Sequence, residues 1–288
     1  MKTTLRWLGE FVDLPDDPSQ VAEAFNRLGH EVEAVESKAV DFSGVVTGRV
    51  TAVRHHPNAD RLRVADLDLG GRSHRVVCGA WNFDAEAIVP VALPGAVLAG
   101  GVEVGSKTIR GVESPGMICS ARELGLGDEH EGILVLDEGF SPGEDFATML
   151  TMPDVVFDLN ITTNRPDAMG TLGLARDLAA YFEAPLRIPT AELSEHGAPS
   201  RAQVTIDDPS GCIRFTAREL RNVTVGPSPL WLRLRLEWCG VRAINNVVDA
   251  TNYAMLELGH PTHAFDMDKL GSRVVVRRPR PGEMLRTL

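Results

Sequence analysis

Between Val45 and Leu136 the chain is a succession of short apolar runs cut by glycine, and this pattern calls for a small all-β unit. Val46-Thr-Gly-Arg-Val50 alternates and continues to Val53. Leu62, Val64, Leu67 and Leu69 form a second run, and Arg75–Cys78 and Ile88–Ala92 are two more. Gly70-Gly71, Gly95 and Gly100-Gly101 supply the turns. So many strands within about a hundred residues predict a closed or Greek-key barrel. The strand pattern ends near Leu136, and Ser141-Pro-Gly makes a turn.

The flanks read differently. Leu5, Leu8, Val12 and then Val21, Phe25, Leu28 recur at helical spacing, with Pro15 and Pro18 separating two helices. Ser19 is the expected N-cap of the second helix and Gly29 its C′ residue. Val155–Ile161 reads as a strand. Gly170–Phe182 reads as a helix with Leu174, Leu178 and Tyr181 on one stripe. Residues 188–200, rich in Pro, Ala, Ser and Glu, read as a linker. Beyond it, Val204–Ile206 and Phe215–Ala217 are strand-like, and Pro229–Cys239 is helical. A chain of 288 residues, 43% hydrophobic, suffices for two or three cores.

Charge and cysteine usage narrow the function classes. The net charge of −11 argues against a general nucleic-acid coat. It is uneven: residues 201–288 hold 13 basic and 9 acidic side chains, a mildly basic end able to meet phosphate. Cys78, Cys119, Cys212 and Cys239 are widely spaced, so neither a zinc site nor a disulfide frame is expected, and a reducing cytoplasm is the simplest compartment. No apolar run approaches the ~18 residues of a membrane span, and Met1–Phe11 lacks a signal-peptide core. Gly100–Thr108 resembles a phosphate loop, but Ser106 separates Gly105 from Lys107 and the stretch lies between strands.

Three constellations carry the chemistry. The first starts at His56-Pro-Asn-Ala-Asp60-Arg-Leu62 and runs through Val77-Cys-Gly-Ala80, Asn82 and Gly95-Ala96 to Ser114-Pro-Gly-Met-Ile-Cys-Ser120 and Glu123-Leu-Gly-Leu126. It puts His, Asn, Ser and Arg on barrel loops, where they can bond sugar, phosphate and unstacked bases. Asn58-Ala-Asp60 is also good turn chemistry whatever the function. The second is Ile161-Thr-Thr-Asn164-Arg165-Pro166-Asp167 with Arg176-Asp177. It reads as a strand end, a turn and a helix capped by Asn164 or Asp167. The third gathers Arg242, Asn245, Asn246, Asp249, Thr251, Asn252, His260, His263 and Asp266 within 25 residues, a density that marks a site. His260, His263 and Asp266 lack a metal-ligand spacing, and Pro261 breaks any helix there, so no metal site is expected.

In order and spacing the first constellation, over about residues 40–148, resembles the tRNA-binding OB-fold domain shared by several aminoacyl-tRNA synthetases. The second resembles the segment that follows that inserted domain in bacterial phenylalanyl-tRNA synthetase beta subunits. The third, from Gly226-Pro-Ser-Pro229 to Gly259-His-Pro-Thr-His263-Ala-Phe-Asp266, resembles the start of their editing domain. Family members have Arg-Pro where this chain has Arg242-Ala243, Gln at His260, Leu or Met at Thr262, and often Pro at Thr163. The changes at His260 and Thr262 bear on the shape of the expected pocket.

The resemblance implies an α+β multidomain chain. Residues 1–39 and 150–195 would form a small mixed domain, 40–148 an inserted OB-fold β-barrel, and 200–288 the first part of an α+β editing domain that continues past Leu288. It implies tRNA contacts from His56, Asn58, Asp60, Arg61, Ser120 and Glu123, and hydrolytic editing by His263, Asn252, Thr251 and Arg242. With 9 basic and 12 acidic residues over 44–137, strong salt-driven affinity from the barrel alone is not expected. It further implies ATP-dependent ligation of phenylalanine to its tRNA by a cytoplasmic heterotetramer with an alpha subunit that holds the aminoacylation site. ATP and magnesium serve the whole enzyme, and none is expected on residues of this chain, which alone should not charge tRNA. Editing follows from pocket physics: an apolar site rejects an isostere that adds one hydroxyl by only about a hundredfold. Two other readings stay open on the residues themselves: a non-catalytic tRNA-binding module, and a free-standing editing hydrolase.

Overall fold

The computed structural model describes residues 1–127, 130–137, 139–150, 153–271 and 273–286. The chain opens with β1 (Lys2–Thr4), α1 (Leu5–Phe11), α2 (Pro18–Arg27) and β2 (Glu31–Lys38). Thr4 caps α1, its hydroxyl accepting from Trp7 N at 3.2 Å. The cap of α2 is Asp17, not Ser19: the Asp17 carboxylate accepts from Ser19 N at 2.9 Å and from Ser19 Oγ at 2.8 Å. Pro18 therefore begins the helix instead of separating it, since its missing N–H costs nothing at the first helical position. Gly29 follows the helix with φ 86°, the expected left-handed residue.

Eight strands follow: β3 (Ser43–His56), β4 (Ala59–Asp68), β5 (Ser73–Cys78), β6 (Ile88–Leu98), β7 (Val102–Glu103), β8 (Ser106–Ile109), β9 (Val112–Pro115) and β10 (Met117–Ile118). Six form one antiparallel sheet in the order β10-β6-β3-β4-β5, with β7 on β6, while β8 and β9 pair as a separate hairpin. The expected closed barrel is not completed by a backbone ladder. Between the end strand β5 and the hairpin strand β9, side chains take the place of strand pairing. Ser114 Oγ accepts from Val77 N at 2.9 Å, and His74 Nε2 donates to Pro115 O at 2.7 Å. Alternation along β6 explains two cores. Val89 and Val91 face one with Val50, Leu67 and Phe83, whereas Ile88 and Ala92 face the other with Val45, Phe42 and Phe146. Lys107 lies on β8 with no helix following, which removes the phosphate-loop reading.

After α3 (Phe146–Met149), β11 (Asp154–Asn160) returns between the first and second strands, giving the order β1-β11-β2. Phe157 sits opposite both Thr3 and Val35. Then comes α4 (Thr171–Tyr181). Neither Asn164 nor Asp167 caps it. Gly170 stands at the cap without a side-chain bond, because a 3₁₀ turn over Pro166–Ala168 intervenes and Asp167 accepts from Arg165 Nε at 3.0 Å. Leu174 and Leu178 are fully buried with Trp7, Leu8, Phe25 and Phe157, while Tyr181, at the end of the stripe, stays exposed.

The last part comprises β12 (Gln203–Ile206), α5 (Leu230–Trp238), α6 (Asn246–Leu258), α7 (Met267–Leu270) and β13 (Arg273–Val276), with β12 parallel to β13. Phe215–Ala217 is not a strand: no partner is in reach among the described residues, and the phenylalanine is exposed. The polar run Asn246–Tyr253 lies on α6, with Asn245 at its cap. Along α5, Leu232, Leu236 and Cys239 enter the core of the first unit, and Leu230, Leu234 and Trp238 enter the second core beside β6. These stripes lie about 200° apart on a helix, so α5 is buried from two sides. No described helix is long and apolar enough to cross a membrane. Leu288, expected to interrupt the third unit, lies outside the described residues.

Candidate functional site

The third constellation is organised around α6. Asn245 caps the helix, its Oδ1 accepting from Val247 N at 3.1 Å and Val248 N at 3.0 Å. Asn246 ties the preceding loop, accepting from Gly226 N at 3.2 Å and donating to Thr224 O at 3.0 Å. Asp249 is buried. It accepts from Ser228 Oγ at 2.5 Å and from Ile244 N at 2.8 Å, fixing both segments that enter the helix. Gly259, with φ 69°, ends it.

This scaffold accounts for some of the polar density and leaves the rest available. Thr251 Oγ1 donates to Val248 O at 2.6 Å within the helix. Asn252 is its neighbour on α6, half-buried, with no polar partner among the described residues. Arg242 is exposed in the loop before α6, and His263 is exposed in the segment after it, in ring contact with Phe265 at 6.5 Å. Thr251 and Asn252 are successive residues on α6, about 100° apart around its axis, while Arg242 precedes the helix and His263 follows it in the chain. No hydrogen bond among the described residues links these four. His260 and Thr262 are exposed beside His263.

Replacing Asp249 by alanine is expected to orphan the buried Ser228 Oγ at about 1–3 kcal/mol, with a smaller loss at the part-buried Ile244 N. Asparagine, which keeps an acceptor, should retain most of the stability. Thermal midpoints of the two variants check this, and an alanine variant as stable as the parent would refute it.

The candidates on the six-stranded sheet and its loops are placed as follows. His56 is buried, its Nε2 donating to Ile109 O at 3.0 Å and its Nδ1 accepting from Asn58 N at 3.1 Å. Asn58 donates to Arg110 O at 3.0 Å. His56 and Asn58 therefore clamp the β8–β9 hairpin, while Asp60 and Arg61 are exposed beside them at the start of β4. Ser120 and Glu123 form a reciprocal pair: the carboxylate accepts from Ser120 N and Oγ, both at 2.7 Å, and Glu123 N donates to Ser120 Oγ at 3.3 Å. They line a cavity of about 640 Å³ with Cys78, Met117 and Arg122.

Two features went unread in the sequence. Arg235 of α5 lies over the rings of Trp7, Trp231 and Tyr253, at 5.0, 5.5 and 5.8 Å, and pairs with Glu10. Trp7 Nε1 donates to Glu257 Oε2 at 3.2 Å. Burial, followed by the Glu257 carboxylate, pushes the Tyr253 phenol above its ordinary value. The second is Trp81, half exposed in the loop after β5. A tryptophan directly after a barrel strand, next to the quoted Asn82, was the available signal. The cysteines offer no nucleophile in the barrel core or at the end of α5: burial pushes Cys119 and Cys239 up to about 12, and Cys78 is raised by the same cause.

Two family models match parts of the chain. The model of the "Putative tRNA binding domain" matches residues 45–145, and that of the B3/4 domain matches residues 211–288. A phenylalanine–tRNA ligase beta subunit of Anaeromyxobacter dehalogenans is 47% identical over all of this chain and 36% of its own length. Those of Syntrophus aciditrophicus and Bdellovibrio bacteriovorus are 44% and 43% identical over 98% and 100% of the chain, again 36% of their own length. The chain thus spans a little over one third of the relatives it matches. With two domain models matching parts of it and identity running from end to end, the chain is similar along its whole length to part of the bacterial phenylalanine–tRNA ligase beta subunits.

Proposed function

We propose that this chain handles tRNA within a phenylalanine–tRNA ligase: it binds the tRNA through residues 40–148 and begins the site that hydrolyses mischarged Tyr-tRNA with residues 200–288. The observation that carries the reading is the unbroken similarity to ligase beta subunits along 98–100% of the chain. In this reading residues 40–148 are an OB-type module inserted between 1–39 and 150–195. The antiparallel strand order and the position of β11 between the first two strands support it. The whole enzyme joins phenylalanine to tRNA with ATP and magnesium in the cytoplasm, as a heterotetramer whose alpha subunit holds the aminoacylation site. In the same reading, ATP and magnesium are assigned to the rest of the enzyme.

The site residues divide the editing work by their chemistry. Arg242 is a fixed cation suited to a phosphate near the tRNA 3′ end. Asn252 offers an unspent amide donor and acceptor to the terminal nucleotide or ester carbonyl, on a helix braced by Asp249. Thr251 spends its proton on Val248 O and keeps lone pairs to accept. His263, exposed and without a hydrogen bond among the described residues, is suited to orient water on the ester.

Filter binding of the chain to tRNA at about 50 and 200 mM salt tests the first half. Weak binding at low salt is expected, and none with the chain folded would overturn the reading. In the same preparation, without any alpha subunit, the chain should charge no phenylalanine onto tRNA. Charging without it would overturn the division of labour.

A further inference from the structure

We propose that Trp81 is a stacking platform for an unpaired base of the bound tRNA. The proposal rests on the tRNA-binding reading of residues 40–148 and adds to it a residue and a mode of contact.

The platform is built in three layers. Arg63 on β4 is buried at the end of the sheet's inner face, its guanidinium 4.8 Å from the Phe83 ring centroid and 5.1 Å from that of Trp81. Its position is fixed, because Nη1 donates to Phe83 O at 2.8 Å and Nη2 donates to Asp84 Oδ1 at 3.0 Å. His55 of β3, opposite Arg63 in the ladder, closes the arrangement with its ring 5.3 Å from Trp81. Trp81 thus sits on a buried cation with an imidazole at its side, yet remains 52% exposed.

The loop that carries it is held on the following residues. Asn82 pairs with Ile133 in both directions, Nδ2 donating to Ile133 O at 2.9 Å and Oδ1 accepting from Ile133 N at 3.0 Å. Phe83 is anchored in the core. An exposed tryptophan held this firmly loses little further freedom on binding, which distinguishes a receptor surface from an incidental aromatic.

Charge decides what the ring receives. With 9 basic against 12 acidic residues over 44–137, phosphate attraction alone cannot supply this module's affinity. Stacking needs no net charge and is open to any base. Arg63 already serves one ring face, so a second cation is disfavoured there and a neutral base is favoured. His55 and Arg61 are exposed nearby and can meet the flanking phosphate, while Asp60 and Asp84 keep the rim from becoming a general polyanion site.

The test uses the full 288-residue chain and an unmodified tRNA transcript. Alanine would uncover Arg63 and Phe83, so the informative pair is Trp81→Phe, which keeps a π face, and Trp81→Leu, which keeps apolar cover without one. Trp81→Leu is expected to weaken binding roughly 10–100-fold, and by the same factor at each salt concentration, because stacking releases no counterions. Trp81→Phe should stay within about threefold of the parent on the same stacking argument, and tRNA-induced quenching of tryptophan fluorescence should fall in it. If the parent binds tRNA and Trp81→Leu binds equally well with an unchanged thermal midpoint, the stacking proposal is overturned and the tRNA-binding reading stands. Absence of binding by the parent overturns both.

Discussion

Replacing His263 by alanine in the intact ligase is expected to slow Tyr-tRNA hydrolysis by roughly 10²–10⁴-fold, the span typical of a group that positions or deprotonates water. Phenylalanine charging takes place in another pocket in this reading, and its rate should hardly move. His263 is exposed and its one recorded contact is the Phe265 ring, so alanine orphans no buried group. The stability change should stay within about 0.5 kcal/mol, as at other exposed positions. Both rates should be measured on one preparation whose thermal midpoint is recorded. Equal losses in hydrolysis and charging would mean that the histidine supports the fold and not the reaction.

A methyl group at Gly173 should have the largest effect on stability of any single change considered. A Cβ built there falls 1.7 Å from Asp167 O and 2.8 Å from its carbonyl carbon, both backbone atoms that cannot rotate aside. At Gly170 the Cβ meets Gly259 N at 2.3 Å, where the start of α4 touches the end of α6. Overpacking of this kind typically costs about 1–3 kcal/mol and more where backbone must move. Gly173→Ala should therefore sit at or above about 3 kcal/mol, and Gly170→Ala somewhat lower. Each kcal/mol corresponds to about 2–4 °C in a chain of this size class. Gly9→Ala is the matched control: it lies within α1 with no atom within 4 Å of its Cβ, and should be neutral or stabilising. A Gly173→Ala chain melting with the parent would refute the close packing.

The strands around the barrel were legible because alternation is a local property of side chains facing two cores, and Val89 and Val91 against Ile88 and Ala92 display it directly. What was not legible is how the end strand β5 is met, since the amide of Val77 is taken by one hydroxyl, that of Ser114, and not by a strand carbonyl. Caps failed for a related reason. Asp17 and Ser19 both suit a helix start, and only the conformation imposed by Pro18 chooses between them. The helix at α6 went unread because Asn245, Asn246, Asp249, Thr251 and Asn252 look like a polar loop. Their order makes sense only once the first caps the helix, the next two bind the segments entering it, and the last is left available. Of the site, residue types and order were legible. Which of them are spent on scaffolding, as Thr251 and His56 are in part, depends on partners far away in sequence.

The two-sided burial of α5 bears on how such a chain can be inherited in pieces. The segment between Lys38 and Asp154 leaves and rejoins the first unit at neighbouring points, because these two residues are partners in the β2–β11 ladder, and so it looks like a module that could be exchanged alone. Yet its outer face is sealed by Leu230 and Leu234, from a helix that follows it by some eighty residues and also anchors the first unit through Leu232 and Leu236. A module exchanged alone would meet a foreign stripe on that helix. A compatible exchange must carry α5 with it, or find leucines already in register. The module and this helix are thus constrained to change together, although neither the chain order nor the module's own sequence shows the dependence.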